Sequence, residues 1–306
     1  MSKIKNHLKH WSQGKMKSLN VPLVERFTYV CRAEYLTHSV LNNNETGISN
    51  ENYFDNEIIV SLTTYEKRLY NVYLTIESIM LQTLKPNRII LWLGDELKNV
   101  SIPLTLRKQQ KRGLEIRYCN DIRSYKKLIP VLSSFPSATI ITIDDDYLYH
   151  FDLIENFINA HKNEPELILC TRMHRIKLLN NNTPDKYSKW LRNCNFSDIS
   201  PLNFPIGAGG ILYPPNSLNK EVFNESTFLN ICKFADDVWF KAMALLNNTL
   251  SKKIITHITE STEHLLIEDN QDTSLTQINV NKKMNDKQLK SVFDKYDLYK
   301  RLNDRL

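Results

Sequence analysis

IITIDDDYLY, residues 140–149, carries a β-branched apolar run straight into three consecutive aspartates, with Tyr147 and Tyr149 close behind. The run has the composition of a buried strand. Adjacent carboxylates repel, so a strand that ends this way needs positive charge beside it, from the protein or from a ligand. In an extended chain Asp144 and Asp146 point to the same side.

Outward from this stretch, short apolar runs alternate with helical patterns. EIIVSL (57–62), RIILWL (88–93), LEIRYC (114–119), ATIITI (138–143) and ELILCT (166–171) read as strands. KRLYNVYLTIESIMLQTL (67–84) puts Leu69, Val72, Ile76, Ile79 and Met80 on one helical face and stops before Pro86. Shorter helices are expected around 125–134 and over ENFINAHK (155–162). This alternation predicts βαβ units: an α/β fold with a mostly parallel sheet flanked by helices. Upstream, VPLVERFTYVCRAEYL (21–36) puts Leu23, Phe27 and Val30 on one helical face, expected to pack on the main domain. After 172 the chain turns irregular and aromatic, until a helix predicted at 236–247; it closes on a charged helical segment.

The chain has 306 residues, 42% hydrophobic and 24% charged, with a net charge of +6. That is an ordinary globular composition with room for a large core. The lysines are dispersed except at the two ends, without the dense basic patches of a nucleic-acid binder, so no nucleic-acid partner is expected. Five widely spaced cysteines with no CxxC pair argue against a disulfide framework and a zinc knuckle. No apolar run of about 18 residues and no leader-like segment is present, and the expected location is cytoplasmic. The first twenty residues hold five lysines and no acid, with Ile4, Leu8 and Trp11 at helical spacing. A basic amphipathic helix can lie on an anionic membrane, so peripheral contact at the inner membrane face is one expectation; a packing arm or frayed terminus is the other.

Ligands of open α/β sheets bind where strands end, near a topological switch point. Two carboxylates on one side there suit a hard divalent cation that also takes diphosphate oxygens. The plain alternative is an acidic turn at the start of a following helix.

Together VSLTTYEKR (60–68), SIMLQTLKPNRIILWL (78–93), SYKKLIPVL (124–132) and IITIDDDYLY resemble a bacterial GT-A-fold glycosyltransferase of the surface-polysaccharide type. The resemblance implies a GT-A-like (Rossmann-like) domain over 56–270, between a basic N-terminal extension (1–55) and a charged helical tail (271–306). It implies a hexosyl transfer (EC 2.4) from a nucleotide sugar, often UDP-linked, to a saccharide or lipid-linked saccharide, with Mn²⁺ or Mg²⁺. Thr63, Thr64, Tyr65 and Arg68 would receive the base and phosphates, and Asp121 and Lys127 would line the nucleoside pocket. Asp144 would meet the ribose and also lie at the metal, Asp146 would bind metal, and the triple leaves a place for Asp145. Arg68 and Lys127 are equally readable as a solvated helix start and a surface lysine.

PIGAGGILYPP (205–215) concentrates Gly207, Gly209 and Gly210, three of the seven glycines. The resemblance puts this loop, Gly209 and Gly210 above all, near the donor sugar; a turn before a strand explains it as well. FADDVWFKAMALL (234–246) opens with Asp236 and Asp237, where an inverting enzyme of this type keeps its base. Asp237 is then the candidate base and Asp236 its support; helix capping is the alternative. His257, and after it His264, are candidate late metal ligands. A nucleotidyltransferase or a non-catalytic assembly protein of the same fold remain alternatives; the missing P-loop pattern removes that class.

Overall fold

The structure, a computed structural model, describes residues 23–24, 26–256, 264–267 and 284–303. Its strands are β1 (Ile58–Thr63), β2 (Arg88–Gly94), β3 (Leu114–Cys119), β4 (Thr139–Thr142), β5 (Tyr147–Tyr149), β6 (Ile168–Cys170), β7 (Met173–Arg175), β8 (Asn203–Pro205), β9 (Ile211–Tyr213), β10 (Ser251–Lys253) and β11 (His264–Leu266). Its helices are α1 (26–42, with 23 and 24 also helical), α2 (Val72–Met80), α3 (Leu104–Gln110), α4 (Ile129–Ser134), α5 (Leu153–Asn163), α6 (Glu225–Ile231), α7 (Asp236–Leu246) and α8 (Met284–Tyr296).

Seven strands build the central sheet in the order β10–β6–β9–β4–β1–β2–β3. All run parallel except β9, which is antiparallel to both β4 and β6. This is the α/β, Rossmann-like class that the alternation predicts. The order steps out from β1 to β2 and β3 on one side, then returns to β4 on the other, which puts the topological switch point, where sheets of this class form their ligand crevice, past the ends of β1 and β4. Because β9 is antiparallel, the loop entering it at Ile211 reaches the same edge, where Ile211 sits opposite Thr142 and Cys170.

β1 shows why the core has two halves. Ile59 joins Ile90, Val131, Trp239 and Phe293 on one face of the sheet; Ile58, Val60 and Leu62 join Ile76, Leu106 and Phe157 on the other. Alternate residues of a strand face opposite sides, and both faces here are covered by helices, so the strands read as continuous apolar runs.

Three local readings change. The helix expected over 67–84 is a 3-10 turn at Glu66–Tyr70 followed by α2. The break lets Arg68 turn inward, while the apolar face of Val72, Ile76, Ile79 and Met80 stays buried as its spacing requires. The aspartates do not begin a helix: they lead into β5, which pairs antiparallel with β11. And the Leu23–Phe27–Val30 face of α1 is the exposed one; the helix packs through Tyr29, Ala33 and Leu36. The charged segment at the end is less separate than its composition implies. α8 lies on α7 and buries Leu289, Val292 and Phe293.

A buried ionic cluster ties α1, α2 and α3 together. Glu77 on α2 is fully buried and accepts from Ser39 Oγ at 2.6 Å, Gln109 Nε2 at 2.9 Å and Arg112 Nη1 at 2.7 and 2.9 Å. Removing one partner of such a cluster strands the other charge without water. Glu77→Ala is therefore expected to lower unfolding free energy by roughly 3–5 kcal/mol in urea titrations, and a double Glu77→Ala/Arg112→Met variant to recover part of that loss.

Candidate active site

The carboxyl edge of β1 and β4 gathers five acids and two cations. Asp145 turns inward: it accepts from Thr64 Oγ1 at 2.6 Å and from Arg68 Nη1 at 2.7 Å. The same guanidinium reaches Asp146 at 3.3 Å and lies over the Tyr65 ring, 5.2 Å from its centroid. Thr75 Oγ1 on α2 donates to the carbonyls of Asp145 (3.1 Å) and Tyr147 (2.9 Å), fixing the backbone through the turn. Tyr149 Oη accepts from the Asp144 N–H at 2.9 Å and donates to the Ala208 carbonyl at 3.1 Å, which ties the aspartates to the glycine loop.

Lys127 holds the other half. Its Nζ lies 2.8 Å from Asp144 Oδ1 and 2.9 Å from Asp236 Oδ2, and its carbonyl accepts from Ser61 Oγ at 2.6 Å. Asp236 also accepts from Ser124 Oγ at 2.9 Å. Asp237 Oδ2 takes the Gly207 N–H at 3.3 Å, while its Oδ1 is buried with no hydrogen-bond partner. A Cβ on Gly207 would stand 2.7 Å from Lys127 Nζ, 3.1 Å from Asp237 Oδ1 and 3.5 Å from Asp144 Oδ1. Only a glycine lets the loop lie this close to the ammonium. Neither Asp236 nor Asp237 makes a side-chain cap on α7, so their geometry is not explained by capping.

Burial dominates the electrostatics, and the charges answer it. Burial pulls the Lys127 amine down, but Asp144 and Asp236 more than offset it and hold the ammonium well above its ordinary value. Burial likewise pulls Arg68 down, and Asp145 and Asp146 carry it back above. Asp145 stays raised by burial despite Arg68 and Thr64. Burial and then the neighbouring Asp236 push the Asp237 carboxyl up to about 7, with Lys127 opposing. A carboxylate at that level, with an unpartnered oxygen, can take a proton near neutrality.

Thr63 sits at the edge of the crevice but spends its hydroxyl on the Trp92 carbonyl, 2.8 Å away. Asp121, past β3, is exposed and pairs with Lys126, one residue from Lys127. Gly209 and Gly210 are set by packing: a Cβ on Gly209 would meet Thr171 Oγ1 at 2.5 Å, and Gly210 adopts φ 93° beside Phe157. His257 lies outside the described residues; the backbone of His264 is in β11, opposite Tyr149. Ser124 and Tyr149 hold the site without having been singled out in the sequence; a hydroxyl beside the KK pair and one behind the aspartates were the only signals.

Among the described residues no group of three or more His, Cys, Asp or Glu side chains could hold a metal ion by itself. The donor set still fits a hard divalent ion completed by substrate: Asp144 and Asp146 keep more side-chain exposure (32% and 13%) than Asp145 (7%). Mg²⁺ in particular is held by one or two carboxylates plus substrate phosphates and water.

No family model matches the chain, and no curated protein does either. Among solved structures, HddC from Yersinia pseudotuberculosis matches with a TM-score of 0.34 and 11% identity, over 55% of this chain and 79% of that one. Residues 1–349 of S. aureus TarS, solved in complex with UDP, match with a TM-score of 0.40 and 12% identity, over 66% of this chain and 58% of that one. Both are distant, and the functional reading rests on this chain's own residues.

One turn below Asp237, Lys241 is buried with no hydrogen-bond partner for Nζ. It lines a cavity of about 10 Å³ with Asp237, Tyr213 and Ser251, room for about one water. Burial pulls its amine down to about 7 from an ordinary 10.5. Below pH 7 both folded and unfolded states carry the proton, and the fold bears the full desolvation penalty. Between about 7 and 10.5 only the unfolded state keeps it, so this residue's contribution to stability rises with pH there. Lys241→Met should be more stable than wild type at pH 6, by more than about 1 kcal/mol. The gap should close as pH rises from 7 to 10, followed by denaturant midpoints of both proteins.

Proposed function

We propose that the chain is a glycosyltransferase that moves a hexosyl group from a nucleotide sugar, first of all a UDP-sugar, to a saccharide or lipid-linked saccharide of a surface polysaccharide. What supports this is one juxtaposition: Asp144, just past β4 and two residues before Asp146, stands across Gly207 from Asp237, a carboxylate raised toward neutrality. A site for a diphosphate thus faces a group able to take a proton.

In this reading Thr63, Thr64 and Tyr65 border the nucleotide at the end of β1, and Asp121 lies toward the base. Arg68 and Lys127 hold the aspartates in place and present positive charge to the phosphates. Asp144 and Asp146 would hold Mn²⁺ or Mg²⁺, which when bound stabilises charge on the departing diphosphate. Asp237 takes the proton of the acceptor hydroxyl. The hydroxyl oxygen then bonds to the anomeric carbon, and the bond from that carbon to the diphosphate breaks, with inversion. Asp236, fixed by Ser124 and Lys127, keeps Lys127 beside Asp144.

The test is release of nucleoside diphosphate from a panel of nucleotide sugars with Mn²⁺, Mg²⁺ or EDTA and candidate saccharide acceptors. One donor is expected to turn over with metal and to stop with EDTA. Asp146→Ala should abolish turnover, and Asp237→Asn should lower kcat by roughly 10²–10⁴-fold with nucleotide-induced thermal stabilisation retained. Pyrophosphate release from a nucleoside triphosphate and a sugar phosphate would instead make the chain a nucleotidyltransferase. An absence of both turnover and stabilisation by any nucleotide would sink both readings.

A further inference from the structure

Helix α1 is clamped to the domain along one side only. Tyr29, Ala33 and Leu36 pack with Leu74, Leu148, Leu265 and Ile267, and the Arg32 guanidinium donates to the Tyr149 carbonyl. Its opposite side is apolar and bare: Leu23 is 69% exposed, Phe27 70%, Val24 63% and Tyr35 62%, with Val30 and Leu41 also exposed. At 100° per residue these six positions fall within an arc of about 140°. Glu34 and His38 interrupt the far half of that arc, so the dense apolar part is its first two turns, bordered by the exposed Arg26. Scattered surface leucines need no explanation, but Leu23, Val24, Phe27 and Val30 exposed side by side over two turns do.

The sequence beside this face says what covers it. The twenty residues that open the chain hold Lys3, Lys5, Lys9, Lys15 and Lys17 and no acid. A second copy would bring the same net-positive sequence, like charge to like charge. An anionic lipid surface neutralises the lysines and receives the apolar side chains at its headgroup boundary, and apolar burial plus a basic cluster is the pair of signals that stable peripheral binding requires. We propose that this face of α1 docks the protein on an anionic membrane surface, to which the lysine-rich sequence before it adds attraction. The docking is independent of the transfer reaction. It has a consequence for the site: α1 holds β5 and β11, and β5 begins directly after Asp146, so the docked helix fixes one wall of the crevice relative to the lipid.

The experiment is co-sedimentation of the full chain with phosphatidylcholine vesicles, with and without phosphatidylglycerol. Binding is expected with the anionic vesicles and should weaken with salt. Leu23→Ser/Phe27→Ser, two exposed changes outside the site, should lower the partition coefficient roughly 10-fold or more while leaving nucleotide-induced stabilisation as it was. Cys31, the exposed one of the five cysteines, lies in the same arc. A polarity-sensitive fluorophore on it should shift to the blue on anionic vesicles. Wild-type protein that ignores anionic vesicles overturns the proposal. So does a double variant that binds as well as wild type, or a Cys31 label that does not shift, since the lysines alone would then make the contact. A wild-type dimer in light scattering that the double variant dissolves would assign the face to a second copy instead.

Discussion

Three adjacent carboxylates cannot sit at the end of a buried strand unless cations meet them, and the site is built around that requirement. The two cations come from different places: Arg68 from the 3-10 turn that follows β1, Lys127 from the turn before α4. Each is itself almost fully buried, and for each the aspartates outweigh the desolvation that burial imposes on its charge. The dependence is mutual. Charges at such separations in a dry interior interact far more strongly than in water, and either one left alone is heavily penalised. The ends of β1 and β4, the turn before α4 and the start of α7 are therefore locked to one another by charge as much as by packing.

Gly207 shows how tight the arrangement is. The loop into β9 lies against Lys127 Nζ, and any side chain there would displace the ammonium from between Asp144 and Asp236. The antiparallel insertion of β9 is what delivers this loop to the edge where parallel strands end. An all-parallel sheet would bring the end of β9 there and send the loop before it to the far side. Helix α7 then carries two titratable groups one turn apart with opposite shifts, Asp237 upward and Lys241 downward. Burial is the first cause of both, because it disfavours whichever form is charged.

Much of this was legible in the sequence. The strands and most helices follow from apolar runs and spacing, since both faces of the sheet are covered and the helices bury their periodic positions. What was not legible is pairing at a distance. Asp145 and Arg68 are separated by 77 residues and Glu77 and Arg112 by 35, and nothing in either segment announces its partner. Glu77 reads as an ordinary polar position on α2, although it is fully buried. The side on which α1 packs was missed for a related reason. Spacing reveals that a helix has an apolar face, not which of two such faces meets the domain. Composition drew attention to all three loop glycines and the resemblance to Gly209 and Gly210, whereas contact with the charged residues belongs to Gly207; the difference lies in φ and in neighbours that only the fold supplies.

The charge balance bears on what the crevice would accept. Five carboxylates, Asp144, Asp145, Asp146, Asp236 and Asp237, face two cations, Arg68 and Lys127. Asp237, raised first by burial and then by Asp236, relieves part of the excess by holding a proton near neutrality. Asp145 is satisfied internally, which leaves the excess on the more open Asp144 and Asp146. A diphosphate alone would add to it and be repelled. A divalent cation arriving with the diphosphate would reverse the sign of the problem, because it would neutralise the open aspartates and offer the phosphates a counter-charge in one step. On this argument cation and nucleotide are expected to bind together, each weakly without the other.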